Sequence, residues 1–150
     1  MRYRRLGKTG WQVSEIGFGA WGIGKHMWVG ADDAESLRAL HRALDLGMNF
    51  IDTADAYGRG HSEELLAQVL KTRRNEVILA TKGGNQFTVR QGVRNFDPDY
   101  ITSALESSLK RLQTDRVDLL HGEVSDDEGD HSSASSPTVR PGARPRTRPR

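Results

Sequence analysis

Two rhythms of apolar residues alternate along the chain from Met1 to Leu120. Short runs, Ile16 to Gly19, Phe50-Ile51, Val77 to Ala80 and Val117 to Leu120, are bounded by polar residues and glycine. They read as strands of a parallel sheet buried on both faces. Between them, apolar residues recur at helical spacing. Leu37, Leu40, Leu44 and Met48 form the stripe of a helix running to Gly47. It opens near Asp32 or Asp33, where a carboxylate caps free amides and Glu35 follows Asp32 by three. Leu65, Leu66, Val69 and Leu70 mark a second helix, with Ser62 as its expected cap. Asp97-Pro98 opens a third, its proline in the first turn where no amide hydrogen is missed. Ile101, Ala104, Leu105, Leu109 and Leu112 are its expected buried face. Ahead of these, Arg2 to Leu6 and Trp11 to Ser14 flank Gly7-Lys8-Thr9-Gly10, a hairpin by turn chemistry.

The pattern breaks at His121. From there to Arg150 there is no Leu, Ile, Met, Phe, Trp or Tyr, and four of the five prolines fall in this stretch. Such a segment buries too little apolar surface to offset its ordering entropy, so residues 121–150 are expected to form a disordered tail behind a folded unit of residues 1–120. Its acids come early (Glu123, Asp126, Asp127, Glu128, Asp130) and its arginines late (Arg140, Arg144, Arg146, Arg148, Arg150). The composition changes inside a strand rather than after a finished domain. The arginine-rich end therefore reads as sequence from a shifted frame or a mistaken gene end rather than as an anion-binding arm.

Composition narrows the classes. A chain of 150 residues holds one domain with a real core, but a complete (β/α)8 barrel typically needs about 250. The absence of cysteine excludes disulfides and thiolate metal sites. No apolar stretch approaches the roughly 20 residues of a membrane span, so a cytoplasmic protein is expected. A net charge of +2 is too small to argue for a nucleic-acid partner.

The candidate chemistry sits at strand ends. Asp52 follows the second core strand, Tyr57 lies five residues on, and Lys82 closes the third strand. A buried ammonium is costly without a carboxylate partner, and Asp52 is the obvious one. The same lysine beside Tyr57 would favour the phenolate and lower the phenol pKa from its reference near ~10, a better proton donor near neutrality.

The opening Tyr3 to Ser14, the strand Ile16 to Trp21, the block Asn49 to Glu64 with its Asp-Thr-Ala-x-x-Tyr-Gly and trailing Ser62-Glu63, then Ala80-Thr81-Lys82 and Leu112 to Leu120, together resemble the aldo-keto reductase superfamily in order and spacing. The resemblance implies an α/β fold, a TIM (β/α)8 barrel of which about the first four strands are present. It also implies hydride transfer from NADPH to a small-molecule carbonyl substrate. Tyr57 would then supply the proton, Lys82 would tune Tyr57, and Asp52 would hold Lys82. Gly19, Ala20 and Trp21 would form the first strand-to-helix loop, near the nicotinamide. The family's histidine would fall at position 123, which is Glu123. His121 comes two residues early, on the same pleat face but displaced by about 6.6 Å.

The family's later strands supply most cofactor contacts, so this chain reads as an N-terminal half, impaired alone and prone to self-association through open sheet edges. Rival readings are a non-enzymatic nucleotide-sensing subunit, as in the family's potassium-channel-associated relatives, and an inactive gene fragment.

Other patterns carry less. Gly17 to Gly22 matches G-x-G-x-x-G, and Gly19 to Lys25 matches G-x-x-x-x-G-K. The first needs a helix opening at its last glycine and the second needs Ser or Thr where His26 stands, so neither reads as a phosphate cradle. Gly92-Val93-Arg94-Asn95-Phe96 comes before the fourth strand, where the family's nicotinamide clamp comes after it. His26, His41, His61 and His131 lack metal-ligand spacing.

Overall fold

A computed structural model describes residues 1–25, 30–85 and 94–122. The hairpin pairs β1 (Tyr3–Arg5) antiparallel with β2 (Gln12–Ser14). Then come β3 (Phe18–Gly19), α1 (Asp33–Asp45), β4 (Phe50–Asp52), α2 (His61–Arg73), β5 (Ile78–Gly83), α3 (Pro98–Leu112) and β6 (Leu119–Gly122). The four later strands form one parallel sheet in the order β3-β4-β5-β6. Consecutive strands joined by helices are the βαβ repeat that builds a barrel wall.

The hairpin closes the N-terminal end of the sheet. Asn49, one residue before β4, accepts from the Ser14 amide at 2.7 Å and donates to the Gln12 carbonyl at 2.9 Å. The Tyr3 hydroxyl donates to Gly47 O at 2.8 Å. Gly47 sits at φ +85° with no room for a Cβ beside that hydroxyl, so it both ends the helical segment and admits the hairpin. Asp32 caps α1 as expected, accepting from the Glu35 amide at 2.8 Å.

Side chains alternate across each strand with period two. Ile51 and Leu79 face the helices and are buried with Leu40, Leu44, Leu65, Leu66, Val69, Leu70, Val77 and Leu112. Asp52 and Lys82, one and three residues on, face the other way. The helix α2 lies between α1 and α3 and is covered along most of its length. By contrast α3 is only half covered: of its expected stripe, Leu112 alone is fully buried, with Ser108 beside it.

Two boundaries differ from the sequence reading. Ser62 does not cap α2. Gly60, at φ +95°, is the N-cap, so Ser62 falls inside the first turn with its hydroxyl in the core. The fourth core strand runs Leu119–Gly122 rather than Val117 to Leu120, and His121 and Gly122 pair in register with Lys82 and Gly83. Ladder hydrogen bonds need no apolar side chain, so the strand continues past the point where composition changes. The expected tail beyond Gly122, with Glu123 and His131, lies outside the described residues, as do His26 and Trp28.

Candidate active site

The residues singled out at strand ends meet on one face of the sheet, at its C-terminal rim. In the parallel ladder Gly19 is opposite Asp52, Asp52 opposite Ala80, and Lys82 opposite His121. Partners in register point to the same side, so Asp52, Lys82 and His121 share the face away from the helices. Apolar Phe50 and Leu119, two residues before Asp52 and His121, and Ile78, four before Lys82, are part-exposed on that face.

Lys82 is the hub. Its ammonium donates to Asp52 Oδ2 at 2.6 Å, to Tyr57 Oη at 2.8 Å and to the Thr53 carbonyl at 3.1 Å. An ammonium has three hydrogens, and all three are placed. The Tyr57 oxygen accepts one of them, so its own hydrogen is directed elsewhere. The nitrogen also lies 4.7 Å from the Tyr57 ring centroid, within cation–π range. Burial alone pulls the Lys82 pKa down, but the hydrogen bonds to Asp52 and Tyr57 outweigh it, and the net direction is upward from 10.5. The lysine is therefore held charged.

Tyr57 is carried on the turn that follows β4. Its amide donates to Ala54 O at 3.2 Å, and Gly58, at φ +64°, reverses the chain behind it. The 3-10 turn Gly22–Gly24 packs backbone against backbone here. A Cβ on Gly24 would lie 2.7 Å from the Tyr57 carbonyl carbon, so only glycine allows the two loops to meet.

The first loop forms the other wall. A Cβ on Gly19 would meet nothing within 4 Å, so this strand end borders open space. Ala20 is fully buried, its amide donates to Asp52 O at 2.8 Å, and its carbonyl accepts from Ser62 Oγ at 2.8 Å. Trp21 is 49% exposed, its ring 6.4 Å from the Tyr57 ring and tilted by 40°. Among the described residues the first α-helix after the Gly22–Gly24 turn begins at Asp33.

Around this centre lie residues that sequence reasoning missed. Thr53 and Ser62 are fully buried, their hydroxyls 2.9 Å apart, and the Thr53 carbonyl accepts from Lys82 at 3.1 Å. Ser62, Leu65, Leu66 and Val69 recur at i, i+3, i+4 and i+7, a spacing that already put the serine on the buried stripe. Phe96, 48% exposed, lies over Gly84 and Gly122 at the ends of β5 and β6, where a Cβ on Gly84 would meet its ring at 2.5 Å. Of the segment Gly92 to Phe96, residues 92 and 93 lie outside the described residues. His41 is exposed on α1, and His61 shares Asp33 Oδ1 with Lys25, at 3.0 and 2.8 Å. Among the described residues no cluster of His, Cys, Asp and Glu could hold a metal ion, and no helix is long and apolar enough to cross a membrane.

The model of the aldo/keto reductase family matches residues 15–126, reaching past the Leu120 break. The chain is 44% identical over 121 residues to the aldo-keto reductase YhdN of Bacillus subtilis, covering 79% of this chain and 37% of that protein. It is 42% identical over 123 residues to the NADP(+)-designated aldo-keto reductase yakc of Schizosaccharomyces pombe, covering 79% of this chain and 35% of that one. Among solved structures, the holo form of an aldo-keto reductase from Bacillus halodurans aligns with a TM-score of 0.69 at 42% identity, over 85% of this chain and 42% of that one. The chain thus spans less than half the length of these relatives.

Proposed function

The chain belongs to the aldo/keto reductase family, and from that premise we propose that it carries the proton-donating centre of an NADPH-dependent reductase of aldehydes or ketones. The observation that carries the reading is the three-way use of the Lys82 ammonium, which leaves the Tyr57 hydrogen free to point out of the cluster.

The rim suits a flat nicotinamide. Gly19 borders open space and Trp21 presents a half-exposed ring beside Tyr57. Ala20 offers the cofactor no free backbone group, since both of its own are engaged internally. Gly19 and Trp21 are therefore the cofactor-facing members of the loop, and Ala20 is its anchor. When bound, NADPH supplies the hydride that reduces the carbonyl carbon. Tyr57 gives its phenolic proton to the carbonyl oxygen, which becomes the alcohol hydroxyl. The Lys82 ammonium, in contact with the phenolic oxygen, stabilises the charge left there. Asp52 neutralises and orients Lys82. His121, on the same face one strand over from Lys82, would orient the carbonyl oxygen in place of the family's histidine.

The test uses a full-length relative sharing these motifs. Phenylalanine at the position matching Tyr57 removes the proton donor and keeps the ring, so carbonyl reduction should fall by at least about a hundredfold with cofactor affinity nearly unchanged. A variant retaining half its turnover would disprove the role.

The same reading includes self-association. Among the described residues β3 and β6 are the outer strands of the sheet, and its inner face carries part-exposed Phe50, Ile78 and Leu119. Unpaired edges beside apolar surface favour association. Size-exclusion chromatography with light scattering should find this 150-residue chain larger than a monomer. A stable, cooperatively unfolding monomer would refute that.

A further inference from the structure

We infer that Ser62 is a positioning residue that sets Trp21 against Tyr57, coupling the two aromatic walls of the site through one buried residue, its hydroxyl on one loop and its amide on the other. It holds both loops at once. Its amide donates to the Tyr57 carbonyl at 3.2 Å, and its hydroxyl donates to the Ala20 carbonyl at 2.8 Å, one residue before Trp21.

The hydroxyl has one hydrogen, and Ala20 O, which has none, takes it. The short contact between Ser62 and Thr53 must therefore run the other way, with Thr53 Oγ1 donating to Ser62 Oγ at 2.9 Å. Thr53 in turn accepts a hydrogen of Lys82 on its carbonyl at 3.1 Å. A single chain of hydrogen bonds thus leads from Ala20 through Ser62 and Thr53 to Lys82. Ser62 and Thr53 are both fully buried, and so is Ala20. Water cannot replace a lost link without opening the core, so the geometry of one loop is transmitted to the other.

The contrast with its neighbour sharpens the assignment. Glu63 is equally buried, but its carboxylate engages Thr81 and Arg111, on the helix side. Ser62 alone reaches the rim. What Trp21 and Tyr57 accomplish there rests on the reading given under Proposed function. Whether Ser62 sets their packing does not.

The experiment uses the full chain with Trp11→Phe and Trp28→Phe, so that Trp21 is the single indole, and reads its time-resolved fluorescence anisotropy. In the parent, Trp21 should turn mainly with the whole protein. In Ser62→Ala, with far-UV circular dichroism unchanged, the amplitude of its sub-nanosecond motion should rise about twofold. Ser62→Thr, which keeps a hydroxyl, should restore much of the parent behaviour. Ser108→Ala removes a hydroxyl that is just as buried but bonds Arg111, and it should leave Trp21 unmoved. Unchanged anisotropy in folded Ser62→Ala, or an equal change in Ser108→Ala, would overturn the inference.

Should Ser62→Ala not fold, Thr53→Val removes the hydroxyl that donates into Ser62. It should move Trp21 in the same direction by less, and a rigid Trp21 in that variant also overturns the inference. Retained turnover in the Tyr57→Phe relative would count against the function and not against this coupling.

Discussion

Thr81 and Lys82 are neighbours on β5 that point to opposite faces of the sheet, and each joins a charged network. On the helix side, the Thr81 hydroxyl donates to Glu63 Oε1 at 2.7 Å, Arg111 donates to Glu63 Oε2 at 2.7 Å, and Arg111 also reaches Ser108 at 3.1 Å. Glu63 is fully buried there. On the inner side, Lys82 gathers Asp52, Thr53 and Tyr57, and both ends of its ion pair keep some solvent contact, 18% for Lys82 and 33% for Asp52. The outer network ties α2, α3 and β5 together and uses the hydroxyl hydrogen of Thr81 within itself. The inner network leaves the phenolic hydrogen of Tyr57 unused. A buried ion pair is weak evidence for stability taken alone. What separates a structural network from a chemical one here is whether a donor remains.

Breaking the outer network should have the largest effect on the fold. Arg111→Ala leaves the buried Glu63 carboxylate without its cation and opens space beside Gly60, where an added Cβ would meet the arginine side chain at 2.5 Å. A loss of about 3–5 kcal/mol is expected, read from urea unfolding. A loss within experimental error would mean that the comparison assigns the structural role to the wrong face.

The inner network should matter less to stability and show itself in its pH dependence. Asp52→Asn removes the charge opposite Lys82 but leaves Thr53, Tyr57 and water as partners, so about 1–2 kcal/mol is expected at neutral pH. The folded-state pKa of Lys82 is raised above 10.5. Its contribution is therefore fully present below the unfolded value and is lost as pH rises through the folded one. Unfolding midpoints of parent and Asp52→Asn should differ by a constant amount from neutral pH to about 10 and converge above that. A gap that widens in alkali would contradict the sign.

Much of the inner network was legible in the sequence and little of the outer one. Asp52 and Lys82 end apolar runs, and a strand end fixes both the rim and the face, so their meeting follows from the period of two. Tyr57 comes with a motif. Ser62 has the chemistry of a cap, a short polar residue near a helix start, yet lies inside the first turn. The left-handed conformation that lets Gly60 take the cap instead is a property of the folded loop. The last strand begins two residues after its apolar run does, for a related reason. Asp118 looks like a strand residue, yet its carboxylate accepts the Leu79 amide at 2.8 Å and Arg74 at 2.8 Å, bracketing β5 before β6 begins. That His121 and Gly122 then pair with β5 depends on backbone groups, which composition does not report.

The proposed function has the Tyr57 hydroxyl kept for proton transfer while the Thr81 hydroxyl is used to hold the fold. Denaturant unfolding of Tyr57→Phe beside Thr81→Val tests it most directly, since each variant removes one hydroxyl from opposite faces of the same sheet. Thr81→Val deprives a buried carboxylate of a donor and should lose about 1–3 kcal/mol. Tyr57→Phe removes only an acceptor from a lysine that water can reach and should stay within about 0.5 kcal/mol of the parent. Equal losses in the two variants, or a larger loss from Tyr57→Phe, would contradict the claim and make the tyrosine a structural residue.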